Sequence, residues 1–469
     1  MAGTDFTPWF DKKLKAEPDF RAKWDEYVSS YEKSSEFFSR RFKFQGGGDI
    51  NLYKLFIEGD LNLVRDGGRL SLLVPSGLQT DEGCGPLRKL LLTENKFEEL
   101  TSFENRGYEE IVNGKERTKH IFPDVDSRFK FGFFKVVKGE TPANKHTFDA
   151  RFYLHDPKDI FAPPIRYSVE MIRRFSPENF GIMEFRSGRD YELCAKIRGG
   201  HPLLQSLGFR LSTELHMTND NHFFRNLNGK KPAAGQLPLY EGKMIHQFDA
   251  DYSPGNYAVV REVEPKKLEG KAVPEKREEL ETHLREIFKT KKFKLQYEYE
   301  RLAYREIGSS TNERTCIAAL IPKDACLNHK LIFFVPFEYE LDAKGSLKQV
   351  EFADEDMNSV LSLLNSLIVN YYLRSRVSTS VSMFYIYELP VPKLSTLQKK
   401  KLADFAGKLL KNPRDVKERA ALETFIAREL YGLSLDDWKH LTGTFTFGGG
   451  ESKAELDEII RQSLALWAK

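Results

Sequence analysis

Residues 51–75 constrain the fold of this chain most. Asn51-Leu-Tyr-Lys-Leu-Phe-Ile-Glu-Gly-Asp-Leu-Asn-Leu-Val64 sets Leu52, Leu55, Phe56 and Leu63 on one helical stripe. Asp66-Gly67-Gly68 then stops the helix, since glycine takes the backbone conformation that ends one at little cost. Arg69-Leu-Ser-Leu-Leu-Val-Pro75 follows at once and reads as a short, buried strand of the parallel type. A helix over Pro86–Leu92, a strand near Glu98–Phe103 and a strand over Phe129–Val137 continue the series. Helix alternating with strand is the rhythm of a doubly wound α/β sheet, which the chain enters part-way through.

From about residue 145 short aromatic-rich strands mix with helices such as Pro202–Gly208 and Pro274–Lys289, as in an α+β domain. Its last elements are a helix over Asp356–Arg374 and a strand over Ser378–Tyr387, before the exit Glu388-Leu-Pro-Val-Pro-Lys393. Helices over Leu397–Leu410, Val416–Tyr431 and Ser452–Trp467 form a tail. Upstream, Phe20, Trp24, Tyr27 and Tyr31 share one face of a helix. The expected domains are therefore 1–144, 145–395 and 396–469.

Composition bounds the function classes. At about 100–200 residues per domain, 469 residues make two to four domains. No run approaches the roughly 18 consecutive apolar residues of a spanning helix, which argues against a membrane protein, and the N-terminus has no apolar core of a signal peptide. Cys84, Cys194, Cys316 and Cys326 lie far apart with no paired spacing, which fits a reducing cytoplasm better than a zinc or disulfide scaffold. Lys and Arg number 72 against 69 acidic residues, so any footprint for nucleic acid must be local.

The string from Gly48 to Glu58, then Asp66 to Gly77, resembles the stretch that follows the catalytic motif of adenine-specific DNA methyltransferases. The likeness is to the gamma-ordered enzymes of large type II restriction–modification proteins and BREX-like phage-defence methylases. Ser102-Phe-Glu-Asn-Arg-Gly-Tyr108 resembles the family's "FEN" segment, and Ile121–Phe133 resembles the motif whose leading Phe packs against a flipped-out adenine. The resemblance thus makes Phe122 the stacking residue; on residue type alone it is an ordinary core aromatic. Further on, Glu214–Phe224, Leu237–Phe248, Ser309–Thr315 with Ala318–Pro322, and Asn370–Pro392 resemble the family's target-recognition region. The fold implied is the second half of a Rossmann-like methyltransferase sheet, an α+β target-recognition domain and a helical tail.

The family's Asp-Pro-Ala-x-Gly-x-Gly-like loop for S-adenosylmethionine has no match, nor has its Asn/Asp-Pro-Pro-aromatic catalytic motif. Phe42-Lys-Phe-Gln-Gly-Gly-Gly48 has glycines but no buried strand before them, so it reads as a loop. The cofactor and the catalytic residues are therefore expected on an upstream polypeptide or a missing N-terminal part, with double-stranded DNA as the other partner. The alternative is a non-enzymatic DNA-specificity subunit that delivers a separate catalytic subunit.

For DNA contact the basic, aromatic-rich run Lys289, Lys291, Lys292, Lys294 and Arg301 stands out, although nearby glutamates also fit a solvated face. Arg166, Arg173, Arg174, Arg186 and Arg189 form a second basic group. Asn219, Lys243 and His246 join the DNA-contact set through the recognition-like segments that hold them. His216, Asn219 and His222 are spaced too tightly for a nuclease metal site.

Overall fold

Two helices, α1 (Gly3–Ala16) and α2 (Pro18–Arg41), meet through aromatic rings: Phe10 stands edge-on to Trp24 at 4.8 Å and to Phe20 at 5.8 Å. The computed structural model describes residues 3–467 apart from 48, 113–114, 140–145, 261–293, 342–346, 378 and 447. No residue of α2 is buried, so the aromatic stripe expected there stays open, with Tyr27 and Tyr31 exposed. The chain divides into two units, Met1–Arg186 and Ser187–Lys469.

In the first unit, α3 (Leu52–Leu63) is capped by Asn51, whose side chain accepts the Tyr53 N–H. Its buried face differs from the expected stripe. Lys54, Leu55, Ile57, Glu58 and Leu61 face inward, while Leu52, Phe56 and Leu63 are exposed. Polar bonding decides this: Glu58 accepts the N–H groups of Lys43 and Phe44 at 2.8 and 2.9 Å, and Lys54 Nζ donates to the Asp49 carbonyl at 3.0 Å. Two side chains of α3 thereby latch the glycine-containing loop, and the helix rotates to suit them.

The first sheet has the order β1 (Arg69–Pro75), β5 (Lys130–Val137), β2 (Lys96–Glu104), β6 (Thr147–Leu154), β7 (Ile165–Ser168). Between β2 and β5 the chain makes a hairpin of β3 (Tyr108–Val112) and β4 (Lys115–Lys119). The sheet is mixed: only β2 and β6 run parallel, and β1 pairs antiparallel with β5. The expected parallel, buried β1 is instead an edge strand among the described residues. Leu70 and Val74 are buried while Arg69, Ser71 and Leu73 on the opposite face are exposed. The sheet also runs past residue 144, because β6 and β7 belong to it.

The second unit carries two four-stranded sheets. One has the order β14 (Cys326–Leu327), β10 (Gln236–Tyr240), β11 (Tyr257–Val260), β9 (Phe224–Asn226). The other has β13 (Ala318–Ile321), β12 (Arg301–Arg305), β15 (Leu331–Phe334), β8 (Leu211–Ser212). They share one apolar core that includes Leu237, Leu239, Ala303, Ile321 and Phe333. The helix expected over 356–374 is two, α4 (Asp354–Leu364) and α5 (Leu367–Arg374). Asn365 breaks it by bonding the Ala318 N–H and C=O at 3.0 and 2.9 Å, the two groups a neighbouring strand would take. A short helix, Met383–Tyr387, stands where the strand over Ser378–Tyr387 is expected. The tail is integral to this unit: Ser359 and Ser362 of α4 donate to the carbonyls of Lys399 and Leu402 in α6 (Thr396–Lys411). The helix expected at Pro274–Lys289 lies outside the described residues. No helix among those described is long and apolar enough to cross a membrane.

Candidate functional site

Strand register brings the chemistry of the first unit to one edge of its sheet. Phe131 at the start of β5 pairs with Pro75 at the end of β1 and with Phe103 at the end of β2; Phe103 in turn pairs with Leu154 at the end of β6. Glu104, Lys130 and His155, one residue further along their strands, therefore line the carboxyl-end rim where α/β sheets place their sites.

Phe122 sits on this rim. Its ring is half-buried and stands edge-on to Phe131 at 4.7 Å and 78°. Its backbone is held by Asn105, which is fully buried: Oδ1 accepts the Phe122 N–H at 3.0 Å and Nδ2 donates to the Phe122 carbonyl at 2.8 Å. The same Nδ2 donates to the Val125 carbonyl at 2.8 Å, and the Asn105 N–H donates to the Phe129 carbonyl at 3.0 Å. One asparagine thus ties down both ends of the 122–129 loop. That loop also exposes Phe129, a second ring that sequence reading did not single out.

Beneath the loop lies a buried charge network. Lys130 Nζ is 2.6 Å from Glu184 and 3.6 Å from Glu104, and Glu104 also bonds His155 Nε2 at 3.0 Å and pairs with Arg106 at 3.3 Å. Burial pushes the Glu104 carboxyl upward, yet Lys130, the His155 bond and Arg106 outweigh it and hold it below the usual range. Burial likewise opposes the Lys130 charge, but Glu184, Tyr153 and Glu104 carry its pKa above the ordinary lysine value. Tyr153 is a non-glycine residue at φ 61°, with Lys130 and Arg186 over its ring at 4.5 and 3.8 Å. Nothing in the local sequence joins these residues, because the network draws on four separated segments.

The glycines are structural. A Cβ on Gly46 would strike the Gly83 carbonyl, so the Gly46–Gly47 loop is a close backbone approach. Gly77, in the turn after β1, is closed over by Asp81 and the Tyr53 hydroxyl. Neither place fits the cradle of a nucleoside-bearing methyl donor.

The DNA-contact residues expected in the second unit fall into four groups. Asn219, Lys243 and Lys294 are exposed; Lys243 lies 3.5 Å from Glu241, and Lys294 lies 4.9 Å from the Tyr299 ring centre. His246 is half-buried and stacked on Tyr252 at 4.7 Å. Burial and the charges of Arg419, Arg305, Arg314 and Arg414 push it down to about 3, so it is neutral at physiological pH. Arg301 is a correction. It lies on the central strand β12, is 1% exposed, pairs with Glu214 and donates to the Ala325 carbonyl, so it cannot meet a phosphate in this structure. A guanidinium buried between two strands needs such partners. Lys289, Lys291 and Lys292 lie outside the described residues. The second basic group is also tied up in part: Arg166 pairs with Asp149 at 2.7 Å in the first unit, and Arg189 pairs with Asp436 and Asp437 at 2.8 Å in the second.

Comparison with known proteins now gives this geometry a context. No curated protein matches the chain. The structure resembles the type IIL restriction-modification enzyme MmeI in complex with DNA, with 11% identity and a TM-score of 0.43, over 90% of this chain and 53% of that one. It resembles the type IIG restriction endonuclease BpuSI with 12% identity and a TM-score of 0.32, over 96% and 52%. For the DNA-bound type ISP enzyme LlaBIII the values are 10% and 0.39, over 81% and 28%. The chain spans about half the length of the first two. Residues 26–108 match the model of the Eco57I restriction-modification methylase. The matched stretch, which holds the Glu58 latch, β1 and Asn105, is similar to the Eco57I restriction-modification methylase over those residues.

Proposed function

We propose that this chain is the base-stacking and site-selecting part of a DNA adenine-N6 methyltransferase serving a restriction–modification or phage-defence system. S-adenosylmethionine would supply an electrophilic methyl group on its sulfonium, held by residues of an upstream polypeptide, since the glycine turns described above do not fit it. The reading rests chiefly on the Asn105 clamp, which fixes the half-buried Phe122 on the carboxyl-end rim of a sheet whose segment 26–108 is methylase-like. Drawing a base out of the duplex costs a few kcal/mol. An aromatic face returns roughly 1–3 kcal/mol by stacking. In the second unit the exposed Asn219, Lys243 and Lys294 supply amide and ammonium groups for base edges and phosphates.

The test is transfer of a labelled methyl group to duplex DNA by the chain, by the upstream polypeptide and by their mixture. Activity is expected only in the mixture. Phe122→Ala should lower it by about tenfold or more, given the stacking energy, while duplex affinity is retained. A mixture indifferent to Phe122→Ala would instead assign the chain a delivery role, as a specificity subunit without part in catalysis.

A further inference from the structure

Among the described residues the ribbon of β3 and β4 pairs with no other strand. Two strands alone are marginal in water, so a ribbon that stands off its sheet needs a fixed root. Here the root is Asn105. Its carbonyl accepts the His120 Nδ1–H at 2.7 Å, and its side chain accepts the Phe122 N–H at 3.0 Å. Gly107, at φ 90°, lets the two arms approach closely: a Cβ there would meet Thr118 at 2.9 Å and the Lys119 carbonyl at 3.2 Å. The asparagine that fixes Phe122 therefore also aims the ribbon.

The ribbon's two faces differ in charge. Cross-strand partners share a face, and successive residues alternate between faces. The register Tyr108–Lys119, Glu110–Arg117 and Val112–Lys115 puts Lys115, Arg117 and Lys119 on one face, with Tyr108 and Glu110. Glu109, Ile111, Glu116 and Thr118 fall on the other. Side-chain bonds agree with this division: Lys119 Nζ donates to Glu110 at 3.3 Å, and the Thr118 hydroxyl donates to Glu109 at 2.8 Å. A stretch of mixed charge in sequence is thus sorted by folding into a cationic face and an acidic one. The cationic face is open, since β4 is exposed along its whole length. Its cations recur about every 7 Å along the strand, a row suited to a line of phosphates.

Granted the methyltransferase reading, we infer that the Lys115, Arg117 and Lys119 face of this ribbon lies along the phosphates of duplex DNA, beside the base that Phe122 receives. Cations that neutralise phosphates release counterions and give affinity, and such contacts fix the register of a protein on its duplex. A ribbon rooted on Asn105 would hold the duplex where the base leaves it. An acidic surface of the upstream polypeptide would offer the same charge, but the root shared with Phe122 favours the duplex.

Binding of the full chain to a fluorescent duplex across a salt series tests this. Lys115→Gln, Arg117→Gln and Lys119→Gln combined should weaken binding about tenfold or more at physiological salt. The same variant should flatten the logarithmic salt slope by roughly two to three. Lys12→Gln, Lys15→Gln and Lys23→Gln combined remove the same charge from α1 and α2 and should leave the slope unchanged. All six residues are exposed, so both variants should unfold at the wild-type midpoint. An unchanged slope in the ribbon variant, or an equal fall in both variants, overturns the proposal and leaves the methyltransferase reading standing. An unchanged slope together with weaker assembly with the upstream polypeptide would assign the face to that protein instead. Absence of duplex binding by the wild-type chain, alone and mixed with the upstream polypeptide, would overturn the reading and the proposal together.

Discussion

Asn105 holds Phe122 by both polar groups of its backbone, accepting the N–H at 3.0 Å and donating to the C=O at 2.8 Å. A strand neighbour would satisfy those groups through its own backbone, but here a side chain does so and leaves the loop free to project from the sheet. Asn365 treats Ala318 in the same way, at 3.0 and 2.9 Å. In the first case the result is a fixed aromatic ring on a sheet rim; in the second it is a broken helix docked against an edge strand.

Asn105→Ala should therefore orphan the Phe122 amide and the Val125 carbonyl, and leave the Phe122 carbonyl with only the Val125 N–H at 3.2 Å. A loss of about 2–4 kcal/mol is expected in denaturant unfolding, since each unmet buried group costs roughly 1–3 kcal/mol and loop relaxation recovers part. Asn105→Asp keeps the acceptor but sets a buried carboxylate oxygen against the Phe122 and Val125 carbonyls, so its loss at neutral pH should be at least as large and should shrink as the acid is protonated. A fluorescent adenine analogue at the target position should brighten when wild type binds the duplex and stay dark with Asn105→Ala. Equal brightening in both would mean that the clamp does not serve base capture.

Acid should act on the network under this loop in a set direction. The folded Glu104 pKa lies below its ordinary value of 4.5, so its contribution is present above about pH 4.5 and is lost as pH falls through the folded value. Unfolding free energy should accordingly decline below pH 4.5. Lys130→Met removes the strongest influence holding Glu104 ionised and leaves two buried carboxylates facing each other. That variant should lose about 3–5 kcal/mol at neutral pH and show a flatter acid decline. A wild-type acid slope retained in Lys130→Met would contradict the account.

The corrected role of Arg301 separates it from Lys294, although both stand in one basic run. Arg301→Met takes the paired guanidinium away from the buried Glu214, which also accepts the Leu327 N–H at 2.6 Å, and should cost about 3–5 kcal/mol of stability. Lys294→Ala should leave stability within about 0.5 kcal/mol. It should instead reduce the salt dependence of duplex binding by about one ion. Unfolding curves and a salt titration on both variants decide the matter, and the reverse pattern would restore Arg301 to the DNA-contact set.

What could be read in advance follows the range of the forces involved. The Asn51 cap, the Gly67-Gly68 stop and the extent of β1 are local, and residues 51–75 fold as their own chemistry directs. The sense of β1 is not local, since β5 lies some sixty residues downstream and only its register makes the pair antiparallel. Apolar periodicity alone misplaces the buried face of α3, because it ignores Glu58, whose two backbone partners outweigh the exposure of Phe56. At the candidate site, only the family likeness singles out Phe122 in the sequence. Asn105 stood in view within the "FEN" segment, but its role depends on meeting residues 122–129 across the sheet rim.

The uncovered flank of β1 supports a last prediction. Its outer edge has no strand partner among the described residues, and Leu73, 57% exposed, pairs with the half-buried Phe133 on the face away from Leu70 and Val74. An edge with free N–H and C=O groups beside apolar side chains invites another strand. If the upstream polypeptide continues this sheet, it would lie here. The isolated chain should then self-associate with rising concentration in sedimentation. Leu73→Lys should suppress that association without altering the circular dichroism spectrum, because the residue is exposed and lysine at an edge opposes pairing. The same substitution should weaken assembly with the upstream polypeptide, by an amount set by the roughly 1.5–3 kcal/mol of burying a leucine. A chain that stays monomeric at high concentration, and assembles with its partner regardless of Leu73→Lys, would place the junction elsewhere on the first unit.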